Sequence, residues 1–237
     1  MARYRILLFD ADNTLFDFDR CEEEAFLLTV RTEGLTGGEA LYKRYSSINA
    51  DLWKRYERGE IGLDFLKIER FRLLLLSAGR ENEDVLSEKA AHLRDVYAEA
   101  LANQAFLIPD AEELCRALCR DYALYIVTNG ISRIQRGRFA KSGLEPYFRG
   151  MFVSEEIGAK KPEKRYFDAV FEALGEPEKA EVLVIGDSLT SDADGALGYG
   201  VDFCRYNPAG LSDEGRAVTY TVKKLSEVKD ILNGGTS

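Results

Sequence analysis

The apolar positions of the chain follow two patterns, short continuous runs and longer amphipathic stretches. Residues 4–9 (YRILLF) form one short run, and later runs occur in YALYIVTNG, EVLVIGDS and VDFCRYN, with helical segments between them. Short apolar runs bounded by turn signals are typical of strands that are buried on both faces of a parallel sheet. The alternation of strands and helices after Pro109 therefore predicts an α/β fold with a doubly wound parallel sheet.

The stretch from residue 19 to 101 interrupts this alternation, because its pattern is helical throughout. One apolar stripe at helical spacing consists of Leu41, Tyr45, Ile48, Leu52 and Tyr56. Glycines between such stripes divide the stretch into about four helices. We therefore predict a core formed by residues 1–18 and 102–237, with an all-helical domain inserted at residues 19–101.

The charge and the N-terminal sequence narrow the choice of partners. The 237 residues carry a formal net charge of −9 with no basic block, which disfavours a nucleic-acid polymer as the partner. The N-terminal stretch MARYRILLFD has only four apolar residues in a row before an acid, too few for a signal sequence or a membrane span. We therefore expect a cytoplasmic protein, a monomer or weak homodimer, that binds a small molecule and neither nucleic acid nor membrane.

Histidine and cysteine chemistry is disfavoured by the sequence. The only histidine, His92, lies beside the apolar stripe of a predicted helix, so histidine-based nucleophilic catalysis has little to build on. Cys115 and Cys119 have helical spacing and few soft ligands near them, which disfavours a zinc site.

Polar side chains follow the predicted strands at the points where the strands end. These residues are Asp10, Asp12, Thr128, Asn129, Asp187 and Asp192, together with Lys160 and Lys161 before the next predicted helix. Ligands of open parallel sheets bind beyond the carboxyl ends of the strands, where the order of winding reverses. We therefore expect the carboxylates, the threonine and one of the two lysines to meet in one cleft.

This set of side chains suits phosphate chemistry. Carboxylates gathered in one cleft repel each other unless a divalent cation neutralises them, and hard oxygen ligands suit Mg²⁺. A lysine and a threonine hydroxyl supply the cation and the hydrogen-bond donor that a phosphoryl group requires. One of the carboxylates Asp10 and Asp12 would attack phosphorus, while the other protonates the leaving oxygen and later activates water.

Four motifs together resemble those of the haloacid dehalogenase (HAD) superfamily of hydrolases, which have a Rossmann-like core with a helical cap inserted after the first motif. The motifs are DADNTLF, VTNG, KKPEKRYF and GDSLTSD, in that order. The resemblance implies that Asp10 is the nucleophile and Asp12 the general acid and base. It also implies that Thr128 binds the phosphoryl group and that Lys161 neutralises its charge. The implied ligands of Mg²⁺ are Asp10, the backbone carbonyl of Asp12, Asp187 and, in or just behind the first shell, Asp192.

The chain is similar in more detail to the pyrimidine 5′-nucleotidases, which hydrolyse UMP, dUMP and dTMP. This likeness lies in DADNTLFDF, GDSLTSD and VDFCRYNP. We expect Asn129 and Phe16 to contact the substrate, with the Phe16 ring stacked on the base. The alternative for Phe16 is packing at the hinge between core and cap. The cap is expected to close over the core and exclude water during the reaction.

Other functions and simpler roles remain open. A sugar-phosphate phosphatase, such as an N-acylneuraminate-9-phosphatase, would share all four motifs. Haloacid dehalogenases lack an acid two residues after the nucleophile, since a halide leaves without a proton, so Asp12 disfavours dehalogenation. A non-catalytic binding module would predict the loss of Asp10, Asp12 or Lys161, which are all present. Four residues taken singly have simpler interpretations as helix caps or surface charge: Thr128, Asn129, Asp192 and Lys161.

Overall fold

The chain divides into two compact units in the computed structural model, which describes residues 3–78 and 83–234, without the side chains of residues 83–85. One unit comprises Met1–Asp19 and Ala105–Ser237, and we call it the sheet unit. The other comprises Arg20–Gln104, and we call it the helical unit.

The sheet unit contains six parallel strands in the order β3-β2-β1-β4-β5-β6 within the described residues. The strands are β1 (Ile6–Phe9), β2 (Ala123–Thr128), β3 (Gly150–Val153), β4 (Val182–Gly186), β5 (Asp202–Tyr206) and β6 (Tyr220–Val222). The order of winding reverses between β1 and β4. This reversal opens a crevice at the carboxyl ends of these two strands.

Alternate residues of the strands are buried on opposite faces of the sheet. Leu7 and Phe9 of β1 belong to one apolar cluster, whereas Leu8 belongs to a second cluster. β4 repeats this pattern, with Ile185 in the first cluster and Val184 in the second. A strand that is buried on both faces needs apolar residues at every position, which is why these strands read as continuous apolar runs.

The helices of the described residues fall into two groups. The first group is α1 (Phe18–Thr32), α2 (Gly38–Glu57), α3 (Leu63–Ser77) and α4 (Glu83–Ala102), which form the helical unit apart from the start of α1. The second group, in the sheet unit, is α5 (Ala111–Leu118), α6 (Ser132–Lys141), α7 (Ser154–Ile157), α8 (Lys164–Ala173), α9 (Asp194–Tyr199) and α10 (Val228–Leu232). None of the helices described is long and apolar enough to cross a membrane. The predicted α/β fold, a doubly wound parallel sheet with an inserted all-helical segment, is confirmed.

Aromatic rings form the centre of the helical unit. Tyr45 of α2 stacks on Phe26 of α1 and on Phe71 of α3, with ring centroids 4.5 and 5.4 Å apart. Tyr97 of α4 packs against the same tyrosine at 5.5 Å. All four rings are buried. Tyr45 is therefore part of the core of this unit.

Candidate active site

Two acidic residues lie at the crevice between β1 and β4. Asp10 follows Phe9, and its backbone N–H donates to the carbonyl of Ile185 at 2.8 Å, which continues the pairing of β1 with β4. Asp187 follows Gly186, the last residue of β4. The parallel pairing of the two strands thus brings acids from distant parts of the sequence to the same edge of the sheet.

A buried lysine joins these acids. The Lys161 ammonium donates to Oδ1 of Asp10 and to Oδ1 of Asp192, each at 2.6 Å, and to the backbone carbonyl of Val127 at 2.9 Å. These bonds use all three donors of the ammonium group. Burial lowers the pKa of Lys161, but the carboxylates of Asp10 and Asp192 outweigh this effect, so its pKa is raised and the lysine stays charged. The side chain is 1% exposed, so the simpler interpretation of Lys161 as surface charge is wrong.

Asn129 fixes the backbone of this lysine. Its side-chain amide donates to the carbonyl of Lys161 at 2.9 Å and accepts from the N–H of Lys161 at 2.8 Å. Because both ends of the amide are engaged by one backbone segment, this geometry argues against the predicted contact between Asn129 and the substrate. The amide of Asn129 therefore holds the backbone from which the Lys161 side chain begins.

Three carboxylates form a cluster that suits a divalent cation. Asp10, Asp187 and Asp192 each offer one carboxylate oxygen, and these oxygens lie within 4.8 Å of one another. Burial raises the pKa of Asp10 well above its usual range, and Lys161 only partly opposes this effect. Burial, together with the charge of Asp192, raises the pKa of Asp187 to about 7. One lysine leaves surplus negative charge on hard oxygen donors, so the donor set fits an ion such as Mg²⁺.

The local structure after β4 places the third acid of this cluster. A short π-helical segment, Leu189–Ala193, is capped by Ser188, whose hydroxyl accepts from the N–H of Ser191 at 3.2 Å. The Asp192 carboxylate folds back to accept from the N–H of Ser188 at 3.2 Å. A Cβ atom at Gly186 would overlap this carboxylate, so the close approach requires glycine. The simpler interpretation of Asp192 as a helix cap is wrong, because Ser188 takes that place.

Asp12 lies two residues beyond Asp10, and its side chain is held by α6. Arg138 donates from Nη1 to Oδ1 of Asp12, and Gln135 donates from Nε2 to Oδ2 at 2.5 Å. The Asp12 side chain is 27% exposed, whereas the Arg138 side chain is fully buried. The cation-suited cluster found in the described part of the chain does not include the Asp12 carboxylate. The predicted metal contact of Asp12 is made by its backbone carbonyl, and it stays a prediction.

The role of α6 in the site does not follow from the sequence alone. The stretch ISRIQRGRFAKSG contains three arginines. One of them, Arg138, is buried, whereas Arg136 is 54% exposed and pairs with Glu156 at 2.6 Å. The sequence pattern does not distinguish these two arginines. Gln135 and Arg138 are three residues apart, which places them on the same face of the helix. A glutamine and an arginine three residues apart, in the helix directly after the VTNG strand, are the sequence feature that could have indicated Gln135 and Arg138 as site residues.

Thr128 ends β2 with its side chain buried beside the same network. Its Oγ1 accepts from the N–H of Gly130 at 3.0 Å and from Nε2 of Gln135 at 3.2 Å. Two donors already occupy the acceptor positions of the oxygen, which leaves the hydroxyl proton for a phosphoryl oxygen. The helix that follows begins at Ser132 after Ile131 and has no side-chain cap, so the interpretation of Thr128 and Asn129 as caps is wrong.

Phe16 lies inside the core of the sheet unit. It is 1% exposed and belongs to the apolar cluster that contains Phe9. The guanidinium of Arg138 lies over its ring, 4.4 Å from the centroid. A ring covered in this way has no free face for a base, which argues against the predicted stacking on the substrate and favours the packing alternative.

A parallel α/β sheet with a lysine and a cluster of carboxylates at its carboxyl edge is typical of one class of hydrolases, and comparison with known families identifies it. Residues 4–200 match the family described as haloacid dehalogenase-like hydrolase. The chain belongs to this family, and the prediction that it is a hydrolase of the HAD superfamily is confirmed.

Individual relatives match over nearly their whole length. The HAD-hydrolase YfnB of Bacillus subtilis (strain 168) is 38% identical, covering 98% of this chain and 97% of that protein. Pyrimidine 5′-nucleotidase PynA of Streptococcus pneumoniae (strain ATCC BAA-255 / R6) is 36% identical, with 97% and 95% covered. Pyrimidine 5′-nucleotidase YjjG of Escherichia coli (strain K12) is 31% identical, with 95% and 96% covered. The predicted resemblance to pyrimidine 5′-nucleotidases is confirmed.

A solved structure extends the likeness to the whole fold. The crystal structure of YfnB bound to magnesium matches with a TM-score of 0.89 at 38% identity, covering 98% of this chain and 99% of that chain.

Proposed function

We propose that the chain is a magnesium-dependent phosphomonoester hydrolase that acts on the pyrimidine nucleoside monophosphates UMP, dUMP and dTMP. Two relatives named pyrimidine 5′-nucleotidase, 36% and 31% identical, support this proposal. The observation that carries it is the contact of Lys161 Nζ with Asp10 Oδ1 at 2.6 Å, beside a cluster of three carboxylates. A fixed cation next to a carboxylate is what the transfer of a phosphoryl group to that carboxylate requires.

In the first step, a carboxylate oxygen of Asp10 attacks phosphorus, and the bond between phosphorus and the ester oxygen breaks. Asp12 in its protonated form gives its proton to the leaving oxygen, so the nucleoside departs as an alcohol. The phosphoryl group stays on Asp10 as an acyl phosphate. Lys161 and the hydroxyl of Thr128 stabilise the negative charge of the phosphoryl oxygens.

In the second step, a water molecule attacks the phosphorus of the acyl phosphate. Asp12, now a carboxylate, takes a proton from this water. The bond between the Asp10 oxygen and phosphorus breaks, which releases inorganic phosphate and restores the carboxylate of Asp10. Asp12 then carries the proton that the next cycle needs.

The carboxylate cluster is the proposed place of the metal. Asp10, Asp187 and Asp192 would hold Mg²⁺ together with the backbone carbonyl of Asp12. When bound, the ion neutralises the charge of these carboxylates and of the phosphoryl group. The magnesium in the YfnB structure supports this choice of ion.

The proposal also covers the helical segment and the cellular context. We propose that residues 19–101 serve as a cap that excludes water and selects the substrate. The net charge of −9 supports a small phosphate ester, rather than a nucleic-acid polymer, as the partner. A cytoplasmic location and a monomeric or weakly dimeric state complete the proposal.

The test is a comparison of hydrolysis rates on UMP, dUMP, dTMP, purine monophosphates, sugar phosphates including N-acylneuraminate 9-phosphate, and p-nitrophenyl phosphate. We expect the pyrimidine monophosphates to be fastest with Mg²⁺, and every rate to vanish with EDTA. Asp10→Asn should abolish turnover, whereas Asp168→Asn, the same change at a surface ion pair, should not.

Each part of the proposal has its own contrary result. Faster rates on sugar phosphates would overturn the choice of nucleotides. Turnover that survives EDTA would overturn the metal, and turnover by the Asp10→Asn protein would overturn the covalent step. These outcomes are independent of one another, because they concern substrate, ion and nucleophile separately.

A further inference from the structure

The carboxylate of Asp12 is held at both of its oxygens. Oδ1 accepts from Nη1 of Arg138, and Oδ2 accepts from Nε2 of Gln135 at 2.5 Å. A single hydrogen bond to one oxygen would leave the carboxylate free to rotate about its terminal torsion, which is broad for aspartate. Donors on both oxygens fix this torsion together with the position of the group.

The two donors are themselves fixed. Arg138 is fully buried, and its guanidinium lies 4.4 Å from the ring centroid of Phe16 and 5.5 Å from that of Phe18. The buried amide of Gln135 also donates to Oγ1 of Thr128 at 3.2 Å. A Cβ atom at Gly130 would overlap the Gln135 side chain, so the glycine of the VTNG motif makes room for this amide.

Burying an arginine has a free-energy cost that an apolar side chain of similar length would avoid. The carboxylate that pairs with Arg138 is still 27% exposed, so the ion pair is buried on the arginine side only. The guanidinium also lies over the rings of Phe16 and Phe18, so it contributes to packing as well. An apolar side chain in this place could not supply the hydrogen bond to Oδ1, which fixes the orientation of Asp12.

We propose that Arg138 and Gln135 are positioning residues, which aim Asp12 at the leaving-group oxygen and thereby make proton transfer to poor leaving groups efficient. This inference rests on the proposed function, since it assigns Asp12 the proton transfer described there. The same amide of Gln135 contacts Thr128 and Asp12, so it also sets the distance between the phosphoryl site and the proton donor.

The proposal predicts a dependence on the leaving group. An alkoxide, such as the 5′-oxygen of a nucleoside, needs a proton as it departs, whereas p-nitrophenolate leaves without one. If Asp12 is no longer oriented toward the leaving oxygen, nucleotide cleavage should therefore slow far more than cleavage of p-nitrophenyl phosphate. kcat/KM reports the first phosphoryl transfer, so it isolates this effect from the later attack of water.

The experiment measures kcat/KM with Mg²⁺ on UMP and on p-nitrophenyl phosphate for the wild type, Arg138→Met and Gln135→Met. General acid catalysis contributes about 10²- to 10⁴-fold, so we expect Arg138→Met to lose roughly 100-fold on UMP and about 10-fold or less on p-nitrophenyl phosphate. Gln135→Met should lower the ratio of kcat/KM on UMP to kcat/KM on p-nitrophenyl phosphate in the same direction, by a smaller factor. Asp12→Asn gives the reference shift for complete loss of the proton donor.

Arg205→Met is the matched control. Arg205 is also buried, and it pairs with Asp213 at 2.5 Å outside the candidate site. Its loss should lower stability while leaving the ratio of the two kcat/KM values unchanged. If Arg138→Met does not fold, as judged by its melting curve, Gln135→Met decides the question.

Equal losses on the two substrates in the folded variants would overturn the inference, because a purely structural role affects both rates alike. The rates of the wild type test the proposed function separately. If the wild type cleaves another alkyl phosphate in place of UMP, that ester replaces UMP, and the ratio still tests the roles of Arg138 and Gln135.

Discussion

The buried lysine offers the most direct test of how the site is held together. Lys161→Met removes one positive charge from two contacts of 2.6 Å, with Asp10 and with Asp192, while keeping a side chain of similar length. Removing one partner of a buried ion pair costs about 3–5 kcal/mol, because it leaves an unpaired charge in the interior. For a domain of this size, 1 kcal/mol shifts the melting temperature by about 2–4 °C, so the expected decrease is roughly 6–20 °C.

The assay is thermal unfolding followed by circular dichroism, with a surface pair as the control. Lys164 contacts Asp168 at the same 2.6 Å, but its side chain is 76% exposed. Lys164→Met should therefore leave the melting temperature nearly unchanged. The double variant Lys161→Met/Asp192→Asn should be less destabilised than the sum of its single variants, because the lysine and the aspartate are coupled. Equal small decreases for Lys161→Met and Lys164→Met would refute this account of the buried network.

Three further predictions concern the acids and their supports. Because the pKa of Asp187 is raised to about 7, its contribution to stability is present at low pH and is lost as the pH rises through 7. Without metal, the free energy of unfolding should decrease by at most about 1.4 kcal/mol per pH unit from pH 5 to pH 7, and the melting temperature should fall with it and level off above pH 7. Mg²⁺ should reduce the fall, and a flat profile between pH 5 and pH 7 would contradict this. Gly186→Ala should displace Asp192 and raise the Mg²⁺ concentration needed for activity, whereas Gly198→Ala, with open space around the added Cβ atom, should not. Asn129→Ala should lower kcat by about 10- to 100-fold with little change in KM, because Lys161 would lose its fixed position. A change in KM alone would instead indicate that Asn129 contacts the substrate.

The strand-end residues show what a sequence pattern can predict. Asp10, Lys161 and Asp187 come from three distant segments, yet each follows or faces the end of an apolar run that becomes a buried strand. Parallel strands must place their carboxyl ends at one edge, so the pattern of runs determines which polar residues meet. The same logic predicted the fold class, since alternating runs and helices leave few other arrangements.

The supporting side chains show where this logic stops. The Asn129 amide has both ends turned to the backbone of Lys161, and a sequence contains no information on which partner an amide chooses. Arg138 is one of three arginines in its helix stretch, and its burial against the rings of Phe16 and Phe18 is visible only in the folded structure. Phe16 is the last residue of the first motif, DADNTLF, and from the sequence alone contact with the base was as reasonable there as burial. These roles depend on side-chain packing between elements, which strand and helix periodicity does not encode.

The central claim is that Asp10 receives the phosphoryl group. The direct measurement is reductive trapping during turnover of UMP, in which borohydride converts an acyl phosphate of aspartate to homoserine, followed by peptide mass spectrometry. We predict homoserine at position 10, dependent on both substrate and Mg²⁺ and absent from the Asp10→Asn protein. Reduction at a different acid, or steady hydrolysis with no trapped residue at position 10, would contradict the account.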